Sequence, residues 1–152
     1  YSLAQYNFAA FLFNQGRMQE ALEQMQLVTQ DLGYERRPQA FYILGLSQRR
    51  VGDIEAAVES FEKATQLSAG FAPPYIEAAD IYFQQQNYPL SKMALDRFRQ
   101  LSKPTAKSLW LSIRIEQLFG NRDNVASEGL KLKNLFPYSK ENLEYQAWLK
   151  RS

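Results

Sequence analysis

The sequence predicts an all-α fold in which antiparallel helix pairs stack into a right-handed superhelix, about four pairs followed by a C-terminal capping helix. Three observations carry that prediction. Gly16, Gly52 and Gly120 each sit between two stretches of helical periodicity, 36 and then 68 residues apart, and 68 is twice 34. The skipped position is Gln86, within the turn-like Gln86-Asn87-Tyr88-Pro89. The joins between these turns carry Pro38, Pro73-Pro74, Pro104 and Pro137, so Gly- or Asn-type turns alternate with Pro-marked ones. Glycine suits the position just past a helix end, and proline suits a first turn.

The apolar residues keep the same register. Phe41, Leu44, Gly45, Ala57, Phe61 and Ala64 recur 34 residues later as Tyr75, Ala78, Ala79, Ser91, Leu95 and Phe98. They recur again as Leu109, Ser112, Ile113, Val125, Gly129 and Leu132, while the first unit, two residues longer, reads Gln5, Phe8, Ala9, Ala21, Met25 and Val28. Small residues fall where two helices of a hairpin touch, and large ones where a helix plugs its neighbour. Ala57, Phe61, Ala64 and Leu67 at i, i+4, i+7 and i+10 form one helical stripe, and Asp53 is a good N-cap before it. The expected helices are 2–15, 18–31, 38–50, 54–67, 72–85, 88–101, 105–118, 122–135 and 139–150. The expected organisation is one array over 1–152, with repeats near 2–35, 38–71, 72–104 and 105–137 and a cap at 139–150. Leu143, Tyr145, Trp148 and Leu149 are expected to cover the open end, as a terminal repeat requires. The aromatic first helix (Tyr1, Tyr6, Phe8, Phe11, Phe13) predicts further repeats before residue 1.

Composition narrows the function. The chain has 152 residues, 45% of them hydrophobic and 22% charged, enough to bury a core. Its 18 Lys+Arg against 16 Asp+Glu leave +2, too little to argue for nucleic acid as a partner. With no His and no Cys, the Ser-His-Asp and Cys-His nucleophile systems, the usual zinc sites and disulfides are excluded. Isolated glycines make no phosphate-cradling loop, so neither an enzyme nor a cofactor is expected. No window approaches the roughly 18 apolar residues of a membrane span. Tyr1 to Gln5 lack the start of a signal peptide, which leaves a cytosolic protein or a removed targeting segment.

A helix–turn–helix unit of about 34 residues with this pattern is the tetratricopeptide repeat. The second unit matches it best; the fourth departs, with Gly129 where a bulky residue is usual and Arg122 where an aromatic is usual. In such a stack the first helix of each hairpin lines a concave surface. The residues predicted there are Tyr6, Asn7 and Phe13, then Tyr42, Leu46 and Arg49, then Ile76, Asp80 and Phe83, then Trp110 and Arg114. Aromatic and amide groups suit an extended or helical peptide. The same pattern equally allows Tyr42, Phe83 and Trp110 to be inter-helix packing. Asp80 and Arg114, at one position of successive repeats, are expected to pair across the groove. Arg49-Arg50 and Arg36-Arg37 are read as solvated cations or a contact for an acidic partner.

A narrower resemblance rests on three stretches. Tyr6-Asn7-Phe8-Ala9-Ala10-Phe11-Leu12 leads into Gln15-Gly16-Arg17-Met18-Gln19-Glu20-Ala21. Ser108-Leu109-Trp110-Leu111-Ser112-Ile113-Arg114-Ile115 precedes Leu118-Phe119-Gly120-Asn121, and Leu135-Phe136-Pro137-Tyr138-Ser139 precedes the last helix. In this order the chain resembles the PilF/PilW group, outer-membrane lipoproteins of type IV pilus biogenesis that act as pilotins. The resemblance implies a non-catalytic scaffold on the periplasmic face of the outer membrane. Its implied partner is the secretin subunit, whose localisation and multimerisation it assists so that twitching motility follows. It also implies a lipid anchor on a cysteine that this chain does not contain. The alternative is a general peptide-binding adaptor or co-chaperone of the cytoplasm.

Overall fold

A computed structural model describes residues 1–151. It contains α1 (Ser2–Asn14), α2 (Met18–Thr29), α3 (Arg37–Arg50), α4 (Ile54–Leu67), α5 (Pro73–Gln84), α6 (Tyr88–Leu101), α7 (Ala106–Leu118), α8 (Arg122–Leu135) and α9 (Lys140–Arg151). The predicted helix bounds agree with these to within two residues. Each helix packs on the next in chain order, and α1 on α3, α5 on α7 and α7 on α9 also meet, so the hairpins lie side by side.

The turn inside each hairpin is one motif used four times. After α1, the Gly16 N–H donates to the Phe13 carbonyl and the Arg17 N–H reaches back to that of Leu12. The pairs Gly52 with Asp53, Gln86 with Asn87 and Gly120 with Asn121 close α3, α5 and α7 in the same way. This is the Schellman ending, which needs a left-handed residue at its turn. The φ angles are 78°, 93° and 76° at Gly16, Gly52 and Gly120, and 61° at Gln86. Gln86 therefore holds the glycine position of the third hairpin with a side chain, at a steric cost that the three glycines avoid. The following helix starts on a cap in two cases: the Asp53 and Asn87 side chains accept from the Ala56 and Leu90 N–H groups. Thr105 and Ser108 form a reciprocal capping box at the start of α7.

Four clusters form a continuous interior along the stack. Ala9, Met25 and Val28 pack with Ala40, Phe41 and Leu44. Ala57, Phe61 and Ile81 follow, then Ile76, Ala79, Leu95, Phe98, Leu111 and Ile115. Leu109, Trp110, Ile113, Val125, Leu132 and Tyr145 close the series. Two glycines permit close approach, and at Gly45 a Cβ would stand 2.6 Å from the Phe61 ring. Gly129, the departure noted in the fourth unit, has the same cause: the Tyr145 ring of α9 occupies the space its side chain would fill.

The terminal helix is placed by its own turn. The Ser139 hydroxyl donates to the Phe136 carbonyl and accepts from the Asn142 N–H, while Asn142 Nδ2 donates to the Pro137 carbonyl at 3.0 Å. Tyr145 is buried and Trp148 packs beside it, covering the end of the array. Leu143 and Leu149, expected to share that task, instead stand 65% and 43% exposed. Helical periodicity is the reason: with Tyr145 and Trp148 inward, positions two before the first and one after the second turn away.

Glu116 joins α7 to α8. It is buried, and its carboxylate accepts from the Nδ2 groups of Asn121 and Asn124 and from Lys92. Burial pushes this carboxyl up, but the Asn121, Asn124 and Lys92 contacts outweigh it and hold it below the ordinary carboxylate range.

Gln86→Gly is expected to raise stability by about 0.5–1 kcal/mol, the relief of the left-handed conformation less the entropy of a freer unfolded chain; urea midpoints measure it, and an unchanged or lower midpoint contradicts the turn assignment. The lowered pKa of Glu116 contributes stability that is present above its unfolded-state pKa and is lost as pH falls through the folded-state pKa. Glu116→Gln should therefore cost more at about pH 7 than at about pH 3, a difference read from denaturation at both conditions.

Candidate functional site: the inner face of the stack

The first helix of each hairpin presents residues at i, i+4 and i+7: Tyr6 and Phe13 on α1, Tyr42, Leu46 and Arg49 on α3, Ile76, Asp80 and Phe83 on α5, and Trp110 and Arg114 on α7. At about 100° per residue these fall on one side of each helix. The structure joins several of them across repeats and sinks others into the core.

An ion network crosses three helices. Arg49 of α3 donates to Asp80 at 2.7 Å and to Glu77 at 3.1 Å, both on α5. Lys107 of α7 reaches Glu77 at 3.1 Å and Asp80 at 3.8 Å. Two cations and two carboxylates thus balance along the middle of the face. The Arg49, Glu77 and Asp80 side chains are only 14–20% exposed, so a missing partner would leave a poorly solvated charge.

The expected Asp80–Arg114 pair is not formed: among the described residues Asp80 pairs with Arg49 and Lys107. Arg114 packs instead on aromatic faces, 4.8 Å from the centre of the Phe83 ring and 4.9 Å from that of Trp110. Its Nε donates to the Trp110 carbonyl at 3.3 Å. Burial lowers the Arg114 guanidinium from its ordinary value, while Asp80, Glu144 and Glu141 act in the opposite direction. A guanidinium on an aromatic face suits this half-buried position because it is more weakly hydrated than an ammonium.

The other arginines read as solvated are likewise engaged. Arg50 lies 5.7 Å from the centre of the Phe13 ring and Arg36 lies 6.0 Å from that of Tyr6. Arg37 donates from Nε to the Thr29 carbonyl at 2.7 Å and covers Phe41. The aromatic of one repeat is repeatedly met by an arginine of the next, a relation invisible until the helices are side by side.

Tyr42, half-buried between Phe61 and Phe71, has its hydroxyl pushed up to about 12 by burial and by the charge of Glu77. Leu46 packs beside it against the cluster of Ala57, Phe61 and Ile81. Asn7 is exposed and Phe13 half-exposed. Ile76 and Trp110, offered as surface, are each 7% exposed. Ile76 packs with Leu95 and Leu111; the Trp110 ring meets Tyr145 and Trp148, and its Nε1 donates to Glu144 at 2.8 Å. Of the two roles open to Trp110, the structure selects packing.

Glu77 and Lys107 are central to the network, yet their residue types alone did not select them. Glu77 is 30 residues before Lys107 and 28 after Arg49, and such separations are neighbours only in a stack of this period. The signal that finds them is opposite charge one repeat apart, less one to two helical turns.

Comparison with known proteins places this geometry. The tetratricopeptide repeat model matches residues 38–71. Over 141 residues, 93% of the chain, there is 36% identity to the type IV pilus assembly protein PilF of Pseudomonas aeruginosa, and the chain spans 56% of that protein's length. The solved structure of PilF superposes with a TM-score of 0.91 at 34% identity, covering 97% of this chain and 66% of that one. PilW, a type IV pilus biogenesis factor, superposes with a TM-score of 0.79 at 18% identity, covering 95% and 67%. MamA of Desulfovibrio magneticus RS-1 gives 0.76 at 17%, covering 91% and 77%. The last two share the tetratricopeptide solenoid fold.

Trp110→Ala is expected to cost about 3–5 kcal/mol, as for a large core side chain, whereas Trp110→Phe retains most of the packing and loses the bond to Glu144. Thermal and urea unfolding of both variants measure this; a near-neutral Trp110→Ala would return the residue to the surface.

Proposed function

We propose that this chain, a tetratricopeptide repeat protein similar over nearly its whole length to PilF, is a non-catalytic interaction scaffold for type IV pilus assembly. The similarity to PilF over 93% of the chain is the observation that carries this reading. The partner we propose is the secretin subunit of the pilus machinery, whose localisation and multimerisation the scaffold assists. The place we propose is the periplasmic face of the outer membrane, reached in the native protein through a lipid anchor. No helix among the described residues is long and apolar enough to cross a membrane.

The inner face supports binding of an extended partner segment. Tyr42, Leu46 and Phe83 offer partly exposed apolar area, and aromatics bury it with little loss of rotamer freedom. The balanced Arg49–Glu77–Asp80–Lys107 network offers both signs of charge, so polar groups of a partner find donors and acceptors without net repulsion. A cytoplasmic adaptor that clamps chain-terminal carboxylates needs free cations on this face. Arg49 and Lys107 are already occupied by Glu77 and Asp80, which argues against that alternative.

The test is deletion of the gene followed by assay of secretin multimers and surface pili. Loss of both, restored by the native protein, is expected; intact multimers and pili would refute the proposal. Direct binding to purified secretin subunit should weaken by about tenfold or more in Arg114→Gln, as for an interface residue of arginine type, with unfolding curves confirming that the variant stays folded.

A further inference from the structure

The face opposite the groove carries three clefts at one repeat spacing, each between consecutive second helices and floored by the intervening first helix. On α5, Tyr75, Ala78 and Tyr82 lie about half a turn around the helix from Asp80 and Phe83. The clefts can be compared position by position. At three equivalent places the first has Thr29, Leu44 and Ser60, the second Thr65, Ala78 and Ala94, and the third Arg99, Ser112 and Glu128.

The first and third differ from the second in carrying polar groups at these positions. In the third, Arg99 donates to both Ser112 and Glu128 and draws α6, α7 and α8 together. The first is larger, about 730 Å³, but it has Leu44 in place of the floor alanine, Ser60 donates to Gln48, and its walls carry Gln30, Glu59 and Lys63. The middle cleft has alanines at two of the three positions. It is a cavity of about 350 Å³ floored by Pro74, Tyr75, Ala78 and Tyr82 of α5 and walled by Phe61 of α4 and Met93 of α6. Met93 is 67% exposed at its rim, and methionine is the side chain best able to adapt to an incoming apolar group.

Opposite charges flank this apolar floor. Glu62 on α4 accepts from the Tyr82 hydroxyl at 3.0 Å, and Arg97 on α6 lies 5.9 Å from the centre of the Tyr75 ring and donates to Gln100. Neither is ion-paired among the described residues. An apolar site between an unpaired anion on one wall and an unpaired cation on the other is complementary to a ligand of matching order. We propose that the cleft between α4, α5 and α6 docks a partner protein segment that inserts one bulky apolar side chain carried between a basic residue, which meets Glu62, and an acidic residue, which meets Arg97. This second surface is independent of the groove and of the pilus assignment.

The test uses synthetic twelve-residue peptides with a central Leu flanked by Lys and Glu, titrated into the chain with alanine and methionine methyl groups observed by NMR. Saturable shifts at Ala78, Ala94 and Met93 are expected. A central Ser should abolish them, and flanks of two lysines or two glutamates should weaken binding about tenfold. Ala78→Leu, which installs the residue that Leu44 supplies to the first cleft, should remove binding while the fold persists. Met93→Glu, at an exposed site, does the same without touching the floor. Equal shifts with Ser and Leu, shifts confined to the inner face, retention of binding in both variants, or no shift at all would overturn the proposal. So would concentration-dependent self-association abolished by Met93→Glu, which would assign the cleft to a second copy of this chain.

Discussion

The structure depends on how closely the two helices of a hairpin approach, and the contact of Gly45 with the Phe61 ring sets that distance in the best-matched repeat. Helices pack 8–10 Å apart according to the side chains between them. A glycine on one helix admits an aromatic ring from the other, and any added atom at that point displaces the ring or separates the axes. Ala9 opposite Met25 and Ala79 opposite Leu95 repeat this relation with a smaller partner. In the fourth hairpin the relation is transposed: Gly129 lies on the second helix, and the intruding ring is Tyr145 of α9. The same constraint that joins a hairpin therefore also seats the cap.

Uniform spacing makes the inner face possible. Arg49, Glu77, Asp80 and Lys107 belong to three different helices, and their ion pairs close only because α3, α5 and α7 stand at consistent offsets. Partly buried pairs of this kind add little net stability once desolvation is counted, so their main effect here is on register. A hairpin that slid by one helical turn would lose Asp80 to Arg49 and Glu77 to Lys107 together. The arginines over Tyr6, Phe13 and Phe83 act alike, each linking one repeat to the next through a ring face rather than a carboxylate.

What was legible in the sequence followed from periodicity. The Gly16, Gly52, Gln86 and Gly120 positions announced the turns, since a left-handed residue is required wherever a Schellman ending recurs; Gln86 was found by its place in the count despite having a side chain. The groove was legible as a set of positions but not as a set of roles. A pattern at i, i+4 and i+7 identifies a helix face, and it does not say how far the next helix covers that face. Ile76 and Trp110 share the register of Asp80 and Arg114 but lie nearer Leu111 and Tyr145, which bury them. Partner choice among charges was equally hidden. Asp80 had two arginines within one repeat spacing, and burial of Arg114 against Phe83 and Trp110 left it to Arg49 and Lys107.

A repeat array gives each position several copies in which to differ, and the differences here are not spread evenly. Positions that set spacing stay small or apolar in all four hairpins, because each is constrained by two neighbours. Positions on the outer clefts vary from Leu44 to Ala78 to Ser112 and from Ser60 to Ala94 to Glu128, although their backbones are equivalent. At the middle cleft both are alanine, and Tyr75, Tyr82 and Met93 beside them are partly or largely exposed. One repeat earlier the place of Ala78 carries Leu44. The cleft is thus a departure from its neighbours in the repeat, and its apolar floor between Glu62 and Arg97 is the chemistry that an outside ligand would satisfy.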